Sequence, residues 1–453
     1  MTSADVELVA GSLDAPLAWR HGLVLSRRQF IADAAALAER LPAGADLLNL
    51  SVDRYRFAVG FAAGLLRGVT SLLPPNQTAD TVDRLRRRFD RMVALVETGG
   101  DSHGLPSLRH ADDAADPTTV DASPRIAADH VAAFVLTSGS TGDPVPHPKP
   151  WGLLARNARA EASRLAEMLG RADLAGLALV ATVPPQHMYG FESSVLIAMH
   201  GGAAFDADRP FYPADVVAAL DRVPRPRMLV TTPFHLKTCL EARLPMPAAD
   251  LVLCATAPLA PQLAAAAERA FGAPLVEIYG CTEAGQVASR RTTAGPEWQT
   301  LDALRIAGDG SEAVVSGGHV VAPVQLADVL DVVDAQTFRL LGRSNDLINI
   351  AGKRSSLGHL DFHLNQIEGV VDGAFWMPPD DGHGSVVRLV AVVVAPEMPA
   401  ATLLAALRER LDPAFLPRRI VHVESLPREA TGKLTAARLA AFAAERLSRR
   451  DAS

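Results

Sequence analysis

The chain has 453 residues, 49% hydrophobic and 21% charged, enough for about three domains at roughly 150 residues each, and its composition excludes a disordered tail. Its 44 Lys+Arg against 51 Asp+Glu leave a net charge of −7, which argues against nucleic acid as a partner. Three cysteines, Cys239, Cys254 and Cys281, follow neither metal-site nor disulfide-framework spacing, as expected of a cytoplasmic protein.

Residues Met1 to Arg20 include Asp5, Glu7 and Asp14 and lack an apolar core of signal-peptide length. Phe57 to Leu66 is the longest apolar candidate, ten residues closed by Arg67. A bilayer span takes about 20, so a core helix is predicted and no integral membrane contact. The arginine run Arg84 to Arg88 reads as a solvated helix face rather than an anion site. The Asp- and Ala-rich stretch from His110 to Pro124 reads as a surface loop.

Strand-like and helix-like segments then alternate. Leu177–Val183, Met228–Thr232, Leu251–Ala255 and Leu275–Tyr279 are predicted strands, with helices over Ala214–Leu220 and Ala260–Phe271. This pattern predicts α/β architecture, with parallel-rich sheets covered by helices on both faces. Near residue 341 the texture changes. A strand at Phe338–Leu341 runs into a polar turn, Gly342 to Asp346. A helix (Leu360–Ile367), a strand (Val386–Val394), a helix (Thr402–Arg410) and a strand (Ile420–Val423) follow. The chain thus divides into a large N-terminal domain, 1–342, and a small α+β domain, 343–453.

Four segments carry chemistry. In Phe134–Pro144 a hydrophobic strand empties into Thr137, Ser138, Gly139, Ser140, Thr141 and Gly142. Small residues let backbone N–H groups close around phosphate oxygens, and Lys149 follows near enough to add a cation; an ordinary Ser/Gly loop has the same composition. It is not a Walker A loop, and neither is Gly432-Lys433, because Pro427 holds the first glycine position and Leu434 follows the lysine. The strand Val276 to Ile278 leads into Tyr279, Gly280, Cys281, Thr282 and Glu283: a ring for stacking, a hydroxyl for phosphate and a carboxylate for Mg²⁺. Asp328 and Gly342-Arg343 pair an acid and a base suited to ribose hydroxyls. Pro427 to Leu434 carries Lys433 on a glycine-bearing loop.

Together and in this order, the segments resemble the adenylate-forming superfamily: acyl- and aryl-CoA ligases, adenylation domains of peptide synthetases, and luciferases. The Thr137–Gly142 loop resembles its phosphate loop, and Tyr279–Glu283 its Tyr-Gly-x-Thr-Glu motif. Asp328 resembles its ribose-binding aspartate, and Gly342–Asp346 the hinge between its two domains. Ile350–Arg354 resembles the glycine loop of the small domain, which serves the thioester step, and Lys433 its catalytic lysine. Ala255, Thr256 and Ala257 look like its adenine-side loop, and Pro185–Phe191 like its acyl wall. There, His187 either approaches the substrate carboxylate or caps a strand end, and Tyr189 and Phe191 either sandwich an aromatic ring or fill core.

The departures are specific. Val145 to Pro148 separate Lys149 from the loop, Asn345 stands where a hinge acid or lysine is usual, and His359 where an acid follows the glycine loop. Residues 285–310 match poorly. These features look most like the stand-alone ligases of aryl-polyene or pigment clusters. Cys281 reads as a spectator, and Trp151 and Trp376 as packing residues.

The resemblance implies an acid–thiol ligase that uses ATP and Mg²⁺ held by Glu283. Its partners are a small-molecule carboxylic acid, expected to be aromatic, and a thiol from CoA or the phosphopantetheine of an external acyl carrier protein. The alternatives are a medium-chain or hydroxy fatty acid ligase, an enzyme that stops at the acyl-adenylate, and a catalytically degenerate nucleotide-binding scaffold.

Overall fold

Runs such as Leu251–Cys254 and Ala178–Ala181 are apolar at every position, the composition a strand needs when both faces of its sheet are covered. The computed structural model describes residues 5–138, 144–343, 347–350, 353–378, 388–428 and 434–451. In it these runs form two helix-covered sheets. The first has six strands in the order Pro144–Pro150, Val131–Ser138, Thr70–Leu73, Asp46–Asn49, Met92–Val96 and Ser107–Arg109, parallel except for the first pair.

The second sheet has eleven strands. Its parallel block runs Leu275–Cys281, Leu251–Cys254, Arg227–Thr231, Ala178–Ala181, Ala204–Asp206 and Pro16–Arg20. Beyond Leu275–Cys281 the parallel block ends. Strands Gly285–Arg290, Glu297–Thr300, Thr337–Arg343 and Asp328–Val332 are added antiparallel. The cause is connectivity: residues 285–343 contain no helix to make a crossover, and short connections join only antiparallel neighbours. Three further strands, Arg305–Ala307, Val314–Gly317 and Val320–Gln325, form a separate antiparallel sheet. The poorly matching stretch is therefore regular β-structure.

Helices bind the sheets together. Arg54–Arg67 starts where the Asp53 side chain accepts the Arg56 N–H and ends at Gly68, whose φ of +70° suits a residue without Cβ. It buries Phe57 and Phe61, and Phe61 meets the ring of Trp151 at 6.0 Å. Trp151 opens the helix Trp151–Met168, which turns Leu154, Ala158, Ala162 and Leu165 inward at helical spacing. The arginine run starts on the helix Ala79–Arg86, where Arg84 and Arg86 pair with Asp80 and Asp83 on the solvent side, and continues into the turn beyond it.

Residues 353 onward form a smaller unit. Asp372–Trp376 pairs antiparallel with Val390–Val394, which pairs parallel with Arg419–His422. Leu360, Leu364, Leu403 and Leu407 cover one face of this sheet, and Leu439 and Ala443 the other. Lys237 donates to the Val371 carbonyl at 2.7 Å and Gln262 to that of Gln366 at 3.0 Å, tying helices of the large sheet to this unit. Gly342 and Arg343, expected in a turn, continue the strand because they pair with Val329 and Asp328. No described helix is long and apolar enough to cross a membrane.

Candidate active site

The segments at Thr137, Ala255 and Tyr279 lie at the carboxyl ends of strands with parallel neighbours, where open α/β sheets bind ligands, whereas Asp328 opens an antiparallel strand. The turn after Leu275–Cys281 is the best defined. Gly280 is required there, since a Cβ would lie 2.3 Å from the Gly285 carbonyl oxygen. Gly285 closes the turn at φ +79°. Between them, Glu283 presents a side chain that is 52% exposed, 4.0 Å from Nε2 of His147. Burial pushes the Cys281 thiol up to about 11, so the thiol stays protonated at neutral pH.

Tyr279 is placed differently from expectation. Its ring is 8% exposed and lies between Trp298 at 5.8 Å and Phe338 at 5.7 Å, so the expected open stacking face does not form. Its hydroxyl instead donates to Oδ2 of Asp328 at 2.7 Å. The strand register sets Asp328 opposite Arg343. The turn after Leu275–Cys281 and the carboxylate of Asp328 are thereby joined through one side chain. Ala255, Thr256 and Ala257 follow Leu251–Cys254; Ala255 is buried, and Thr256 is exposed at φ +86°, a strained backbone for a β-branched residue.

Thr137 and Ser138 end the strand Val131–Ser138. Gly139, Ser140, Thr141 and Gly142 lie outside the described residues, as do Asn345, Gly352 and Lys433. Lys149, the cation expected beside phosphates, is described. Its ammonium is buried and donates to the Thr282 carbonyl, with the Glu283 carbonyl at 3.4 Å. Burial pushes its pKa down, while Glu192, Cys281 and Glu283 oppose the shift. A register irregularity between Lys149 and Pro150 marks this strand end, and such irregularities re-aim side chains.

Under the turn lies a polar layer that sequence reasoning missed. Asn157 donates to Oε1 of Glu192 at 2.6 Å, Gln286 donates to Ser193 at 2.9 Å, and His319 meets the Gln286 carbonyl at 2.9 Å. Burial pushes the carboxyl of Glu161 up to about 7, with Ser193 and Gln286 opposing, and it pushes that of Glu192 up as well, with Lys149 opposing. One signal points to the layer. Asn157 and Glu161 stand four apart on the inward face of an otherwise apolar helical pattern.

On the acyl side, His187 precedes the short helix Met188–Gly190. Burial pushes its pKa down, opposed by a bond to the Pro75 carbonyl and reinforced by Arg209, so the ring is neutral at pH 7. Tyr189 donates to the Leu253 carbonyl at 2.9 Å. Phe191 is fully buried against Phe61, ring centroids 4.8 Å apart, so it is core and not half of an aromatic sandwich. Arg54, also missed, is fully buried; it donates to the carbonyls of Ala181 and Val183 at 2.9 Å and to Ser194 at 2.5 Å, fixing this wall.

Glu283 fits Mg²⁺ that arrives on phosphates. Among the described residues no three His, Cys, Asp or Glu side chains form a closed metal cage, and Mg²⁺ typically takes one or two carboxylates together with phosphate oxygens and waters.

Residues 58–339 match the family model described as AMP-binding enzyme. A 4-coumarate–CoA ligase from Halorhodospira halophila is 30% identical over 79% of this chain and 87% of its own. A second, from Rhodobacter capsulatus, is 31% identical over 66% of this chain and 74% of its own. The solved structure of ATP-bound MatB from Rhodopseudomonas palustris shares the fold, with a TM-score of 0.79 at 17% identity over 96% of both chains.

Proposed function

The chain belongs to the AMP-binding enzyme family, and from that premise we propose that it activates an aromatic carboxylic acid with ATP and passes the acyl group to a thiol. The observation that carries this is the Tyr279–Asp328 hydrogen bond of 2.7 Å. It joins a ribose-binding acid to a turn whose Glu283 carboxylate faces out, as a nucleoside triphosphate requires.

A free carboxylate is a poor acylating agent, because its leaving group would be hydroxide or oxide. Its oxygen attacks the α-phosphorus of ATP, the bond to pyrophosphate breaks, and the resulting acyl-adenylate carries AMP as a good leaving group. Both reactants are anions, so catalysis is mainly positioning and charge neutralisation. Asp328 accepts from ribose hydroxyls, with Arg343 beside it. Thr282 and the loop from Thr137 to Gly142 donate to phosphate oxygens. His187, kept neutral by burial with its one N–H held by the Pro75 carbonyl, lines the acyl side without adding charge. Glu283 would hold Mg²⁺, which would supply further charge neutralisation on the phosphates. Lys433 bridges the carboxylate and the α-phosphate, and losing it costs about 3–4 kcal/mol, roughly 10²–10³ in rate. The thiol then attacks the acyl carbon, AMP leaves, and the small domain presents its glycine loop for this step.

Aromatic acids are the favoured class because both relatives compared above are 4-coumarate–CoA ligases. CoA is the favoured acceptor for the same reason. The scaffold alternative weakens, because the displaced Lys149 that suggested degeneracy has a defined place under the turn. The test is incubation with ATP, Mg²⁺, CoA and a panel of benzoic, cinnamic and fatty acids, with mass-spectrometric detection of products. Aryl-CoA formation from the aromatic members is expected. ATP binding with neither thioester nor adenylate from any acid contradicts the proposal.

A further inference from the structure

The turn 282–286 is held from beneath by side chains of three separate elements, none of which the reaction itself needs. Lys149, from the strand Pro144–Pro150, is 8% exposed and donates to the carbonyl of Thr282, with that of Glu283 3.4 Å away. It takes the inward-facing oxygens, and the Glu283 side chain is left 52% exposed on the other side. Glu192, from the stretch Phe191–Leu196, is 3% exposed and lies under the far end of the turn. A Cβ on Gly285 would stand 3.2 Å from its Oε1, and Gly285 already has a φ of +79°. Asn157, from the helix Trp151–Met168, fixes that oxygen with a bond of 2.6 Å and would stand 3.6 Å from the same Cβ. Among the charged groups around Lys149, Glu192 does most to favour its ammonium form.

We propose that Lys149 and Glu192, with Asn157, are positioning residues that preorganise the turn bearing Thr282 and Glu283. The lysine is then not a phosphate ligand; it acts on phosphate through the backbone it holds. The physical need is plain. Two carbonyls turned into the protein away from water must find donors, and a cation brought there must find a counter-charge. Lys149 meets the first at one end of the turn, and Glu192, under the other end, meets the second. A turn fixed in this way meets phosphate without reorganising, which is what electrostatic catalysis requires. The proposal rests on the assignment of Thr282 and Glu283 to the phosphate side.

Replacing one partner alone strands a buried charge, so the test replaces both, as Lys149→Met with Glu192→Gln in the full-length protein. The glutamine keeps an acceptor for Asn157. The first readout is amide hydrogen exchange of residues 281–286 without ligands. Exchange at least about tenfold faster in the double variant is expected, with the helix Trp151–Met168 still protected. The second is acid-dependent ATP–pyrophosphate exchange, whose kcat is expected to fall about 10- to 100-fold, the usual cost of losing a supporting partner, with the KM for the acid within about twofold. Turn amides as protected as in the wild type, or an unchanged kcat, overturn the proposal. Should the double variant not fold, Asn157→Ala keeps both charges and carries the same test; unchanged turn protection there also overturns it. A wild type with no acid-dependent exchange defeats the acid-activation reading instead, and the ligand-free measurement still judges the brace.

Discussion

Glu161 is a carboxyl group with no exposed surface, pushed up from the ordinary glutamate value of 4.5 to about 7 by burial. The sign of its effect on stability follows. Between those values the folded chain keeps a proton that the unfolded chain has lost, so stability falls as pH rises through the window. Glu161→Gln keeps the shape and removes the charge. Thermal unfolding from pH 5 to 8 is expected to show the variant gaining on the wild type, by up to about 3 kcal/mol above pH 7. Parallel curves for the two proteins would contradict this environment for Glu161. Residues of this kind are the least legible in sequence. Glu161 and Glu192 resemble any other glutamates until the helix Trp151–Met168 and the stretch Phe191–Leu196 are seen to turn them inward. Lys149 shows the same limit, because the faces of a strand are set by its register, and the irregularity between Lys149 and Pro150 leaves no local mark on composition.

At the scale of elements, the Tyr279–Asp328 bond clasps the strand Leu275–Cys281 to the strand Asp328–Val332, with three strands between them in the sheet order. Tyr279→Phe keeps the ring between Trp298 and Phe338 and removes only the clasp. A hydrogen bond to a charged group contributes about 1.5–3 kcal/mol, so the KM for ATP is expected to rise roughly 10-fold or more with kcat within about threefold. Steady-state kinetics at saturating acid give the answer, and an unchanged KM would remove the clasp from nucleotide binding. The strand-to-turn transitions are legible in sequence because their requirements are local: apolar residues for a buried strand, then glycine where backbone approaches backbone, as at Gly280. The antiparallel edge beyond Gly285 is not, since its strands are specified by the absence of a crossover helix and by partners distant in the chain. Phe191 marks a similar boundary: an aromatic beside a glycine turn suits a pocket or a core, and only Phe57 and Phe61 packed against it decide for the core.

For the whole molecule, the two sheets and the antiparallel edge bring strand ends far apart in sequence to one side of the large unit, and the smaller unit is tied alongside through Lys237 and Gln262. The order of motifs along the chain makes part of this assembly legible, because the motifs at Thr137, Ala255 and Tyr279 are ends of strands with parallel neighbours. What the order does not give is the support beneath the site: Arg54 behind the acyl wall, and Lys149, Asn157 and Glu192 under the turn. The central claim is that these ends activate an acid as its adenylate, with Lys433 brought in by the small domain. ATP–pyrophosphate exchange, measured for the wild type and Lys433→Ala across benzoic, cinnamic and fatty acids, tests it most directly. Exchange that depends on an aromatic acid and falls at least about 10²-fold in the variant is the predicted result. Exchange that is absent with every acid despite bound ATP, or that survives in the variant, would contradict it.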